Sequence, residues 1–121
     1  MNFNGDHTNE IIGCAIEVHR NMGSGYPESD YHRAFVYELK EKGLNIKSEY
    51  CTDFKYKGIK LRKKRIDIVV EDKVIVELKV GLYHKKAHTA QILSYMRITN
   101  LKIGLIIYFN SDQVKIKRIV L

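Results

Sequence analysis

The spacing of apolar residues changes period several times along this chain, and each change predicts an element. Ile11, Ala15, Val18 and Met22 recur at the spacing of one helix face, with Thr8 as the expected N-cap, Glu10 in the first turn and Gly23 as the stop. After a break at Ser24-Gly25-Tyr26-Pro27, with Pro27 suited to the first position of a helix, Glu28, Tyr31, Phe35 and Leu39 keep helical spacing up to Gly43. Strict alternation then takes over from Ile46 to Tyr56. This predicts a strand with one wet face, closed by a turn at Lys57-Gly58. From about Lys85 to Thr99 the helical period returns, with Ile92, Leu93 and Met96 on the core side and Asn100 as C-cap. Lys102 to Phe109 is an unbroken apolar run, as expected of a strand covered on both faces. Val114 to Leu121 alternates apolar residues with Lys115, Lys117 and Arg118 and reads as an edge strand guarded by charge.

The stretch from Arg65 to Lys79 is the most informative. Two runs rich in Ile and Val flank a polar turn near Asp72, which predicts a β-hairpin. Alternation puts Ile66, Ile68 and Val70 on one face of its first strand, and Val74, Val76, Leu78 and Val80 on the same face of its second. The other face carries Asp67 and Val69, then Ile75, Glu77 and Lys79. With the turn centred on Asp72, Asp67 stands opposite Glu77 and Lys79 lies one pleat further on. A two-residue loop would send the two carboxylates to opposite faces, so the reading depends on an odd-numbered turn. The alternative is an ordinary solvated face. Against it, like charges directly opposed across strands are destabilising, so the pair asks for a divalent cation between them. Charges inside strands this apolar also break a local rule, as functional sites do.

Composition adds bounds. At 121 residues the chain accommodates one domain, with residues 1–7 as a flexible N-terminus and residues 8–121 as a single folded unit. No apolar run is long enough for a membrane span and no secretory leader is visible, so a cytoplasmic protein is expected. Cys14 and Cys51 lack metal-ligand spacing and are read as free thiols. A formal net charge of +7 with a pI near 9.4 favours a polyanionic partner, most simply nucleic acid. Seven of the eleven residues from Lys55 to Arg65 are basic: Lys55, Lys57, Lys60, Arg62, Lys63, Lys64 and Arg65. Such runs are most often solvated surface, but this one leads straight into Asp67, where it would hold a phosphate backbone against the carboxylates. On the third helix, His84, His88, Gln91 and Tyr95 line up at spacings of four, three and four. The two histidines have no third ligand in the pattern, so zinc is not expected.

The order helix, helix, strand, charged hairpin, helix, strands, with Asp67 followed after nine residues by Glu77-Leu78-Lys79, resembles the PD-(D/E)XK phosphodiesterase superfamily. Ile66 stands where that pattern has its nominal proline, a position that supplies no metal ligand. Gln91-Ile92-Leu93-Ser94-Tyr95 resembles the Gln-xxx-Tyr motif of nucleases of the bacterial recombination exonuclease type. Gly25-Tyr26-Pro27-Glu28-Ser29-Asp30-Tyr31 is similar to the motif that names the GxxExxY family, a branch of the same superfamily. The segments around Ile11 to His19, Leu101 to Leu105 and Lys115 to Val120 also look like that family.

The resemblance implies an α/β fold with a restriction-endonuclease-like core, a central mixed β-sheet flanked by helices. It further implies a metal-dependent nuclease acting on nucleic acid, with DNA the expected substrate. Asp67 and Glu77 would hold Mg²⁺ (or Mn²⁺) through oxygens, and Glu28 would complete the metal or water shell. Lys79 would orient water or stabilise charge on the phosphate, and Gln91 and Tyr95 would brace the substrate or the lysine. A non-catalytic nucleic-acid-binding module and a protein-interaction module on the same fold stay open as alternatives. A domain this small offers little surface for reading a long sequence, so structure-directed or nonspecific action is expected, or a homodimer that places two sites on one duplex.

Overall fold

The computed structural model describes residues 5–81, 85–109 and 112–121. Its elements follow in the order α1 (Thr8–Met22), α2 (Glu28–Glu41), β1 (Ile46–Tyr56), β2 (Ile59–Val70), β3 (Val74–Val80), α3 (Lys86–Thr99), β4 (Ile103–Phe109) and β5 (Val114–Val120). The strands form one mixed sheet in the order β1-β2-β3-β4-β5. Only β3 and β4 run parallel to each other, and the other neighbours are antiparallel. A parallel step requires a crossover, and α3 supplies it.

Helices cover both faces of this sheet, which explains why its inner strands are apolar without interruption. On one face α1 and α2 bring Ile11, Val18, Tyr31, Phe35 and Leu39 against Ile68, Val76, Leu78, Leu105 and Ile107. On the other, α3 brings Ile92, Tyr95 and Met96 against Ile66, Val69, Ile75, Ile106 and Tyr108. Strand β4 alternates between the two layers, so its side chains from Leu105 to Phe109 are buried whichever way they point. Burying a side chain of this size fully stabilises the fold by about 1.5–3 kcal/mol. Gly104 sits where α3 comes closest: a Cβ there would lie 2.8 Å from Met96 Sδ and 3.0 Å from Ile92 Cδ1.

The helix ends differ in detail from the expected ones. Thr8 is the first helical residue rather than the cap. The cap is His7, in a left-handed conformation with φ 66°, and the Asp6 carboxylate accepts the Thr8 N–H at 2.9 Å. Thr8 is buried, with its hydroxyl beside Arg118 Nε, and Arg118 also pairs with Asp6. The expected loose terminus is therefore tied to β5 from Asp6 onward, while residues 1–4 lie outside the described residues. Pro27 caps α2 instead of starting it. The helix ends at Gly43 as expected: the Gly43 N–H reaches Lys40 O and the Leu44 N–H reaches Leu39 O, the paired bonds of a left-handed glycine terminus.

Candidate active site

The turn between β2 and β3 contains three residues, Glu71-Asp72-Lys73, between the paired Val70 and Val74. This is the odd-numbered loop that the sequence argument requires. Glu71 and Asp72 both adopt positive φ, and Glu71 is further held by its amide bond to Asn45 O. The backbone ladder runs on through Val69↔Ile75 to Ile68↔Val76 and then gives way to side chains. The Asp67 N–H donates to Glu77 Oε1 at 3.1 Å, and the Leu78 N–H donates to Asp67 Oδ2 at 2.9 Å. Each carboxylate thus satisfies an amide of the opposite strand where the ladder stops.

Ile66 does not share the face expected for it. Ile66 packs in the α3 layer, whereas Ile68 and Val70 pack against α1 and α2. The cause lies on the neighbouring strand. Ser48 pairs with Ile68 and Tyr50 with Ile66, but Glu49 between them has φ 52°. A left-handed residue inside a strand breaks the alternation and re-aims the side chains around it, as bulges do. Asp67 stands at this reversal. It keeps its contact with Glu77 and also lines a cleft of about 360 Å³ with Glu28, Ser29, His32, Arg33, Glu49 and Arg65.

The solvated-face alternative fails at Glu77, which is only 4% exposed. Burial, and then the charge of Asp67 beside it, push the Glu77 carboxyl up to about 9, against partial relief from the Asp67 N–H and from Lys79. Glu28 is an exposed residue, yet its carboxyl is also pushed up, first by desolvation at the cleft wall and then by Asp67. Lys79 and Arg65 oppose that shift. The site therefore concentrates more negative charge than its own cations offset, and two carboxyls respond by holding their protons more tightly.

The remaining predicted residues arrive from other elements. Lys79 Nζ donates to Gln91 Oε1 on α3 at 3.3 Å. Tyr95, one turn further along α3, is nearly buried, and its hydroxyl is pushed up by burial and then by the charges of Glu77 and Asp67. Glu28 is placed by the opening of α2. Gly25 takes the positive φ that the bend before Pro27 needs. Three residues past Glu28, Tyr31 is fully buried, stacks on Phe109 at 4.5 Å and donates its hydroxyl to Gly23 O at 2.6 Å. This anchor fixes the helix terminus that carries Glu28.

Not every expected residue converges. Of the basic run, Arg65 alone among the described residues reaches the cleft wall, while Lys55 to Lys64 extend away along β1 and β2. Lys60 and Arg65 make exposed ion pairs of 3.7 Å with Asp53 and Glu49, contacts worth little. His84 lies outside the described residues. His88 forms a hydrogen bond with Tyr108 at 2.9 Å, and its pKa is lowered by burial, then by Lys79. Glu49, His32 and Arg33 are cleft residues that the sequence reading missed. His32 follows Glu28 by one helical turn, a spacing that signals a shared face. Nothing in the local pattern marks Glu49.

Residues 5–119 match the sequence profile of the PD-(D/E)XK nuclease superfamily. The chain belongs to this superfamily. Two solved structures share the fold. The crystal structure of SSO0001 superposes with a TM-score of 0.59 at 17% identity, covering 98% of this chain and 79% of that one. The alkaline exonuclease LHK-Exo from Laribacter hongkongensis superposes with a TM-score of 0.56 at 13% identity, covering 99% of this chain and 72% of that one. No curated protein matches the sequence. In this PD-(D/E)XK chain the donor chemistry suits the divalent cation that the superfamily employs. Asp67 and Glu77 offer hard carboxylate oxygens, and the raised Glu77 and Glu28 carboxyls mark a place where a cation would relieve repulsion. Among the described residues, no three such side chains stand close enough to form a ready-made metal group.

Proposed function

We propose that this PD-(D/E)XK protein is a nuclease that hydrolyses nucleic-acid phosphodiester bonds with Mg²⁺ or Mn²⁺. DNA is its expected substrate, the cytoplasm its place of action, and the GxxExxY family its branch. The observation that carries the reading is the Asp67–Glu77 pair, with Glu77 buried and crowded enough to push its carboxyl up to about 9, set beside a lysine held by Gln91. The shared fold of a protein named as an alkaline exonuclease supports it.

Asp67 and Glu77 would hold the cation, with Glu28 contributing to its water shell. When bound, it would supply Lewis-acid polarisation of the phosphoryl oxygen and a more acidic water. The rest is done by this chain's own residues. Lys79, oriented by Gln91, stabilises negative charge gathering on the phosphate. Tyr95, nearly buried on α3 and within reach of the charges of Glu77 and Asp67, braces the substrate or the lysine. Arg65, at the cleft wall, holds the incoming backbone in register without reading its sequence.

The test is strand cleavage with oligonucleotide and plasmid substrates. Activity that requires Mg²⁺ or Mn²⁺, stops with EDTA and disappears in Asp67→Asn is the expected result. Equal activity in Asp67→Asn refutes the proposal. One observation favours a second reading, that of a non-catalytic nucleic-acid binder: the carboxylates do not form a ready-made metal group among the described residues. Binding that weakens steeply with salt, with no cleavage under any divalent ion, is its signature.

A further inference from the structure

The positive charge of this chain is concentrated in one place. From Tyr50 to Arg65 seven lysines and arginines face a single acid, Asp53, so this segment carries +6 of the net +7. It is also where β1 and β2 leave the sheet. Their ladder runs from Ile46↔Val70 out to Tyr56↔Ile59, whereas β2 pairs with β3 only through Ile68, Val69 and Val70. Beyond Asp67 the two strands form a two-stranded arm, closed by Lys57 and Gly58, both at positive φ.

The two faces of the arm differ. The pairs Cys51↔Arg65, Asp53↔Lys63 and Lys55↔Lys60 put Lys55, Lys60, Lys63 and Arg65 on one face, whose inner end is the Arg65 of the active-site cleft. The other face carries Tyr50, Thr52, Phe54 and Tyr56, with Lys64 opposite Thr52 and Ile59 opposite Tyr56. The register shifts between Asp53 and Lys55, where the extra residue lies on β2 and leaves the alternation of β1 intact. This second face is apolar yet open: Tyr56 is 57% exposed and Ile59 62%. A lysine ammonium lies near each ring, Lys47 at 5.3 Å from Tyr50, Lys64 at 5.9 Å from Phe54 and Lys57 at 5.4 Å from Tyr56. At its inner end Tyr50 and Thr52 line a second cleft, of about 280 Å³, with Ile98, Thr99 and Leu101.

Rings accompanied by cations suit bases joined by phosphates, since every base has a π-face and every linkage a charge. A docking site for an apolar protein surface would gain nothing from an ammonium beside each ring. The spacing selects the form of nucleic acid. Phe54 and Tyr56, alternate residues on a strand, lie roughly 6.6–6.8 Å apart, about twice the 3.4 Å rise of a duplex strand, and Tyr50 lies about twice as far from Phe54 as Tyr56 does. Bases seated on successive rings must therefore be unstacked from each other, which a single strand permits and a duplex does not.

We propose that the aromatic face of the β1–β2 arm is a binding platform for single-stranded nucleic acid. Bases stack on Tyr50, Phe54 and Tyr56, and phosphates lie against Lys57 and Lys64. Lys47 is already paired with Asp72 at 2.9 Å and contributes less. The substrate class that follows is nucleic acid with an unpaired stretch beside the cleavage point. That last step rests on the nuclease reading, whereas binding to the platform does not.

Fluorescence anisotropy in EDTA, with labelled single-stranded DNA, single-stranded RNA and blunt duplex, separates the two. Tyr56→Ala is expected to weaken binding of a single strand about 5- to 100-fold, leave the duplex unchanged, and leave the salt slope unchanged because no cation is removed. Tyr56→Trp, which keeps a ring at a solvent-exposed site, is expected to restore single-strand binding. An equal loss for single strand and duplex overturns the proposal, as does unaltered binding by Tyr56→Ala. A dimer that dissociates in Tyr56→Ala while nucleic-acid affinity holds overturns it too, and assigns the face to a contact between copies. Cleavage in Mg²⁺ without ring-dependent binding sinks the platform alone. Ring-dependent binding without cleavage sinks the nuclease reading and leaves the platform standing.

Discussion

Glu77→Gln removes one buried titratable carboxyl while keeping the side-chain shape and the oxygen that accepts the Asp67 N–H. In the folded protein the Glu77 carboxyl is pushed up to about 9 from an ordinary 4.5. Between those two values the folded state holds a proton that the unfolded state has released. The stabilisation is therefore fully present below about pH 4.5 and is lost as pH rises toward about 9. One such proton changes stability by about 1.4 kcal/mol per pH unit. From about pH 6 to 8 the wild type should thus lose stability that the Gln variant keeps, with a ceiling of about 3 kcal/mol set by one full proton. At 4% exposure little of this is screened by solvent. For a domain of this size each kcal/mol moves Tm by roughly 3–5 °C. Thermal or urea unfolding of both proteins across this range is the assay. The variant should be the more stable above about pH 6, by a margin that widens with pH. Because a cation binds the ionised form of the wild type, Mg²⁺ should narrow that margin. Parallel profiles for the two proteins would refute the electrostatic account of the site.

Three further substitutions probe the supports of the site. Gly104→Ala should cost about 1–3 kcal/mol in urea unfolding, because its Cβ meets Met96 and Ile92 and pushes α3 outward; a cleavage defect beyond that of Gln91→Ala would show that helix position matters more than Gln91 itself. Tyr31→Phe removes the hydroxyl bond to Gly23 O and should cost about 1 kcal/mol, measured in the same way. Asp6→Ala should cost about 1–3 kcal/mol, since it removes the carboxylate that both the Arg118 guanidinium and the Thr8 amide contact; unchanged stability would mean that the terminus is not anchored there.

The fold was legible where one period dominated. Strand β1 begins and ends where the alternation from Ile46 to Tyr56 does, and the apolar run of β4 is covered on both faces because helices lie on both. The basic run hid the start of β2. Lys and Arg occupy both faces between Lys60 and Arg65, so no alternation survives, and only the Lys57-Gly58 loop reveals a strand. The site was legible through the turn. Odd parity about Asp72 brings Asp67 to Glu77 whatever the rest of the chain does. The reversal at Glu49 was not legible, since glutamate has no special tolerance for positive φ and nothing in the local pattern marks the position. Glu28 reaches the cleft through the stacking of Tyr31 on Phe109, a contact between residues far apart in sequence. Helical spacing alone placed Glu28 on the right stripe but not beside Asp67.

Lys79→Ala tests the central claim most directly, because it removes a cation that Gln91 holds beside the carboxylate pair while leaving both carboxylates in place. Binding and single-turnover cleavage of one oligonucleotide in Mg²⁺ should separate. The account predicts near-normal affinity with cleavage slowed roughly 10²–10³-fold, the loss typical of one electrostatic contact made in the transition state. Cleavage at the wild-type rate would contradict it.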